Sequence, residues 1–258
     1  MNLFEHYRED EQTFVEQVLG WKESVETGYE RKLTDFLDPR QQDIAASVIG
    51  KDETVHFAFD GGMKYSERKR ALLYPFYETP ERQDFELSYF QLQYPSKFVT
   101  LSHRDILGAL VGLGLKRGKY GDIVEGNGFF QFAACKDVSL YIEMNLKKVG
   151  SASVTLEPID ADSLLEQGED WQEVHATVSS LRLDVLLAEM FRLSRSKTVP
   201  FIDKGRVKVN WRTVEQPSYS LQPGDYISVR GLGRRKLLDE AGRTKKDRLK
   251  IIYGKKEN

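Results

Sequence analysis

The side chains best placed to do chemistry are basic and lie near the C-terminal end: Arg182, Arg195, Lys197, Lys204, Arg206 and Lys208, then Arg230, Arg234, Arg235 and Lys236, with Asn210 between the two groups. Guanidinium and ammonium groups at this density suit phosphate oxygens, which they hold without reading a base sequence. Val207 and Val209 alternate with Arg206, Lys208 and Asn210. A strand with that pattern packs one face and offers the other to phosphate. Asp184, an acid inside the patch, suits the orienting of a neighbouring arginine better than contact with a polyanion. Gly231-Leu232-Gly233 precedes the basic run 234–236, reading as a loop whose glycines allow close approach to a backbone. Arg104, Lys116, Arg117 and Lys119 form a second, weaker basic set.

Other chemistries lack their residues. His6, His56, His103 and His175 are far apart and, with the single cysteine Cys135, show no metal-ligand spacing. Cys135 ends an apolar run, as a buried small hydrophobe does. Gly118-Lys119 has Leu113 and Tyr120 where a phosphate-binding loop needs glycine and Ser/Thr, and Gly112-Leu113-Gly114 is followed by Arg117 where a dinucleotide fingerprint needs glycine. No serine sits in a nucleophile elbow. The expectation is therefore no catalytic residue, no metal, no cofactor and no small-molecule substrate. Trp211 and Tyr219 have rings that stack on bases, but packing in a small core explains them equally well.

Charge gives the first hint of organisation. The 258 residues sum to −2, which by itself argues against nucleic acid, yet from Ser180 onward there are 19 Lys and Arg against 9 Asp and Glu, +10, and the remainder is −12. Such asymmetry implies that one part meets a polyanion while the other does something else. One cysteine forms no internal disulfide, the start Met1-Asn2-Leu3-Phe4-Glu5-His6 lacks a signal-peptide pattern, and no apolar stretch approaches a membrane span. These features predict a cytoplasmic protein with no membrane partner.

The elements that must position the basic residues follow from periodicity. Residues 1–78 read as a mostly helical α/β domain. It has a helix from Phe4 to Leu19 stopped at Gly20, a helix capped by Asp38 with Pro39 at its first position, a strand Val55–Phe59, and a helix from Glu67 to Leu73 capped by Ser66. Residues 79–160 read as strand, helix, strand, turn, strand, helix, strand, the split βαβ order of RNA-recognition and ferredoxin-like domains. There Phe129, Phe130 and Phe132 only faintly match a base-stacking strand, and burial explains them better. Residues 161–179, rich in Asp and Glu, read as an acidic linker or exposed helix. Residues 180–258 read as two short helices, capped near Ser180 and by Ser194, followed by strands Arg206–Asn210 and Tyr226–Arg230. Pro200 falls inside the second helix, where it removes a backbone donor. The fold class is α+β, in three small domains.

In this last segment Arg182-Leu183-Asp184, Ser194-Arg195-Ser196-Lys197, Ile202, Gly205, Val207, Val209-Asn210, Pro217, Gly224-Asp225 and Ile227-Ser228-Val229-Arg230-Gly231 resemble the signature of the S4 (αL-type) RNA-binding domain. Upstream, Glu67-Arg68-Lys69-Arg70-Ala71, Pro75, His103-Arg104-Asp105-Ile106-Leu107-Gly108-Ala109-Leu110, Gly112-Leu113-Gly114, Lys116-Arg117 and Gly121-Asp122-Ile123 look like the bacterial YlmH family of S4-domain proteins. This resemblance spans essentially the whole chain. It implies a non-enzymatic cytoplasmic protein whose partner is structured RNA, ribosomal RNA or tRNA, on obstructed large ribosomal subunits in ribosome quality control. Two alternatives stay open: an RNA-modifying enzyme of pseudouridine synthase or methyltransferase type, and a cell-division-associated scaffold with RNA affinity.

Overall fold

The computed structural model describes residues 3–166 and 171–256, except for the side chains of Leu3, Glu5 and Arg195. It divides into two compact units, Met1–Gly168 and Glu169–Asn258. The architecture is α+β, with a split-βαβ middle part and a C-terminal part of two helices and a six-stranded sheet.

The first unit begins with α1 (Glu9–Gly28), β1 (Lys32–Leu37), α2 (Pro39–Ile49), β2 (Val55–Asp60) and β3 (Lys69–Pro75). Asp38 caps α2 as expected, accepting from the Gln41 amide at 2.9 Å with Pro39 at the first helical position. The strands form an antiparallel sheet in the order β1-β3-β2. Val18 and Val25 of α1 and Ala45 and Ile49 of α2 close over Ala71 and Leu73 of β3. Three expectations are corrected here. Residues 69–75 are the central strand rather than a helix, because burial on both faces outweighs the helix propensity of Glu-Arg-Lys-Arg-Ala-Leu-Leu. The first helix runs through Gly20 to Gly28, since one glycine costs only about 1 kcal/mol inside a helix. β1 was not anticipated at all.

The unit continues with β4 (Leu87–Gln93), α3 (His103–Gly112), β5 (Tyr120–Glu125), β6 (Phe129–Cys135), α4 (Lys136–Asn145), a short hairpin of β7 (Lys148–Val149) and β8 (Ala152–Ser153), and β9 (Thr155–Ile159). Antiparallel pairing in the order β5-β6-β4-β9 gives the split βαβ arrangement. Phe90, Leu92, Phe130 and Phe132 pack on one sheet face against Ile106, Leu110 and Ile142 from the two helices. The three strand phenylalanines are thus divided, with Phe130 and Phe132 fully buried and Phe129 on the other parity.

The second unit holds β10 (Gln172–Val178), α5 (Leu183–Met190), α6 (Arg195–Asp203), β11 (Val207–Val209), β12 (Arg212–Thr213), β13 (Tyr226–Val229), β14 (Gly233–Arg243) and β15 (Leu249–Lys255). Its six strands run in the order β10-β15-β14-β13-β11-β12. Leu183, Leu186, Leu187 and Met190 of α5 and Ile202 of α6 meet Val207, Val209, Ile227, Val229, Leu237 and Ile251 on one face. Residues 172–178 are therefore a sheet strand and not linker; Val174, Ala176 and Val178 alternate with Glu173, His175 and Thr177. Arg234 to Lys236 lie in a strand rather than a loop. α6 passes through Pro200 without interruption. The carbonyl that loses its donor to Pro200 is that of Ser196, an exposed residue one turn earlier.

Candidate nucleic-acid interface

The predicted residues of the second unit sort into a helical group and a sheet group. Arg182 is the N-cap of α5, Lys197 lies in the first turn of α6 and Lys204 ends that helix. The backbone of Arg195 opens α6, while its side chain lies outside the described residues. Arg182 is held by Asp184, Nε to Oδ1 at 3.0 Å and Nη2 to Oδ2 at 3.2 Å. That pairing raises the guanidinium pKa and gives the fork one fixed orientation.

In the sheet group, β-alternation sends Arg206, Lys208, Arg230, Arg234 and Lys236 to the face opposite the helices. Lys208, Ser228 and Arg234 stand side by side on three neighbouring strands, and Tyr226 stands beside Lys236 in the next row. Lys197, Lys204, Arg206, Lys208 and Arg230 are exposed, and among the described residues no acid pairs with them. A surface with positive groups not already neutralised draws phosphate strongly.

Two residues from the same motif point inward. The Asn210 side chain donates to Asp225 at 2.7 Å and accepts from the Tyr226 amide at 2.9 Å, fastening the β11–β12 turn to β13. Asn210 and Trp211 have φ of 47° and 63°, the left-handed pair that a two-residue hairpin turn needs. Arg235 donates from Nε to the Met190 carbonyl at 3.1 Å and lies 4.8 Å from the Phe191 ring centre. Burial lowers its pKa, and it acts as a brace at the C-terminal end of α5. Both residues position the surface.

The second basic set divides as well. Arg104 and Lys116 are exposed. Lys119 Nζ pairs with Asp35 at 2.8 Å and Asp137 at 2.7 Å, and those two hydrogen bonds raise its pKa. Arg117 donates to the Tyr120 carbonyl at 2.6 Å and lies 4.6 Å from that ring centre; burial pulls its pKa down to about 10. Arg117 stays within its own turn and the start of β5, and Lys119 helps join the parts of the first unit. So does Arg70, only 6% exposed, whose donors reach the carbonyls of Thr34, Phe85 and Glu86. Asp122 accepts from the amides of Glu67 and Arg68, and burial raises its pKa.

Those contacts cover the helix-free face of the four-stranded sheet. Phe36 of β1 packs on Ala133 and Cys135, and Gly62 lies so close to Tyr89 that an added Cβ would come within 2.5 Å of its ring. Gln131 is sealed by the Ser163 carbonyl and the Leu165 amide. Cys135 is fully buried, and burial pushes its thiol up to about 11, as expected for a packing residue. Among the described residues no group of His, Cys, Asp and Glu is arranged to hold a metal ion, and no helix is long and apolar enough to cross a membrane.

Trp171 was not anticipated as a site residue. It enters a cluster with Tyr226 and Trp211. The signal was present in the alternation of residues 172–178, which places a strand, and hence the preceding tryptophan, against this sheet.

Comparison with known proteins agrees with this architecture. The family described as "Putative RNA-binding domain in YlmH" matches residues 80–163, and the S4 domain matches residues 181–227. The chain is 46% identical over 252 residues to the ribosome-associated protein quality control protein P2 of Bacillus subtilis, covering 98% of each. It is 41% identical over 56 residues to the small ribosomal subunit protein uS4 of a Picosynechococcus species, 20% of this chain and 28% of that one. Among solved structures, the cell division protein ylmH from Streptococcus pneumoniae matches with a TM-score of 0.51 and 30% identity, over 62% of this chain and 96% of that one.

Proposed function

The chain belongs to the YlmH family of S4-domain proteins, and from that premise we propose that it is a non-enzymatic cytoplasmic adaptor binding structured RNA on the ribosome. Its C-terminal unit grips ribosomal RNA or tRNA, and its place of action is the obstructed large subunit. The observation that carries this reading is the set of exposed cations without acidic partners among the described residues, Lys197, Lys204, Arg206, Lys208 and Arg230, on an S4 framework. With Arg182, Arg195 and Arg234 they hold phosphates by shape, which suits folded RNA. Arg104 and Lys116 supply a minor additional contact. The Bacillus relative, described by its name as a ribosome-associated quality control protein, supports the ribosome as the source of that RNA.

Reversing Arg195 and Lys197 to Glu is expected to abolish co-sedimentation with large subunits in a sucrose gradient while leaving the melting temperature unchanged. Undiminished co-sedimentation sinks the proposal. RNA incubated with the protein should yield no new nucleoside by mass analysis; a modified nucleoside would favour an enzyme instead.

A further inference from the structure

We infer that the helix-free face of the C-terminal sheet carries a ledge on which unpaired RNA bases stack, formed by Trp171, Tyr226 and Trp211 and ringed by Arg234, Lys236 and Lys256. The inference rests on the RNA-binding reading and adds to it the kind of RNA that this face receives.

The three rings form a row across the strands. Tyr226 lies 5.9 Å from Trp171 and 5.1 Å from Trp211, centre to centre. None of the three belongs to the core cluster beneath α5 and α6, and each is half-buried. Two local features hold the row in place. Gly254 lies under Trp171, where an added Cβ would come within 2.7 Å of the Trp171 side chain, so only glycine lets the indole lie flat on β15. Trp211 occupies a left-handed turn position, φ 63°, which costs energy for a bulky residue and which Gly or Asn would fill more easily. A solvent-side tryptophan kept at such a position has a use beyond closing the turn.

The cations lie against the rings. Lys236 Nζ is 4.3 Å from the Tyr226 ring centre and 2.7 Å from its hydroxyl, Arg234 is 5.9 Å from Trp211, and Lys256 is 5.4 Å from Trp171. Among the described acids, Asp225 is engaged by the Asn210 side chain and the Gln222 amide, and Glu173 stands across from Gly254. Each ring thus has a cation beside it, and a single strand likewise pairs every base with a phosphate. A duplex hides its base faces, so the occupant is a loop, bulge or tail.

The test uses the full chain and two hairpin RNAs with one shared stem, one blunt and one with a five-uridine tail. The tailed hairpin is expected to bind about tenfold more tightly, the scale of one stacked base. It should also quench tryptophan fluorescence. Trp211→Ala and Trp171→Ala should each bring the tailed hairpin towards the affinity of the blunt one, and Trp211→Phe should restore most of the difference. Trp171→Phe with Trp211→Phe leaves Trp21 as the only tryptophan and should abolish the quench even if an alanine variant folds poorly. Equal wild-type affinity for the two hairpins, with no quench, overturns the ledge and leaves the S4 grip intact. Failure to bind either hairpin overturns both.

Discussion

The four-stranded sheet of the first unit and the six-stranded sheet of the second each pack two helices on one face, and their other faces have been put to opposite uses. In the first, Phe36, the Gly61-Gly62 turn and residues 163–165 cover Gln131, Ala133 and Cys135. In the second, that face carries Lys208, Arg234, Tyr226 and Lys236, with Trp171 and Trp211 packed against Tyr226. The cations differ in the same way. Arg70, Arg117 and Lys119 donate to carbonyls and carboxylates of their own unit, whereas Lys204, Arg206 and Lys208 have no such partner among the described residues. Counting Lys and Arg would not separate the two surfaces. Asking what already neutralises each of them does, because a cation without an acidic partner gains more from a phosphate than one already paired.

The comparison can be broken at either end. Phe36→Ala should have the largest effect, about 3–5 kcal/mol in a denaturant melt, since it empties a filled site between β1 and the four-stranded sheet. RNA affinity should stay within twofold of wild type; a large loss would show that the covered face takes part in binding. Next, Arg206→Glu with Lys208→Glu should weaken RNA binding about 100-fold and lower the salt slope by about 2, with little change in stability. A salt slope that does not move would show that neither residue touches phosphate. Lys119→Gln should do least, costing less than about 1 kcal/mol because its ion pairs are partly exposed, and leaving RNA affinity unaltered. A drop in affinity as large as that of the sheet variant would move Lys119 back among the RNA-contacting residues.

The sequence showed the S4 framework clearly, because its glycines, valines and basic residues occupy characteristic turns and alternations. Asp184 as the partner of an arginine was legible for the same reason, the two lying two residues apart at a helix start. Asn210 and Arg235 were harder, since a polar side chain in a basic motif looks the same whether it faces RNA or its own backbone. The hidden faces were harder still. β3 is buried on both sides and shows no alternation, so the run Glu67-Arg68-Lys69-Arg70 leading into it favoured a helix. Lys119 meets Asp35, 84 positions away, a pairing that no local pattern encodes. Acidity masked β10, although its valines and alanine keep a period of two.

The pairing of β10 with β15, from Gln172 with Lys255 to Val178 with Leu249, has a consequence for synthesis. β15 lies between β10 and β14, so without it the strand that opens the module has no neighbour in the sheet. A ribosome making this chain releases β10, both helices and the motif strands well before residues 249–255 emerge. Until then Gly254 is not in place to seat Trp171. The sheet face that carries Trp171 is thus completed only when β15 has emerged; if that face holds ribosomal RNA as proposed, a growing chain takes full hold of it late.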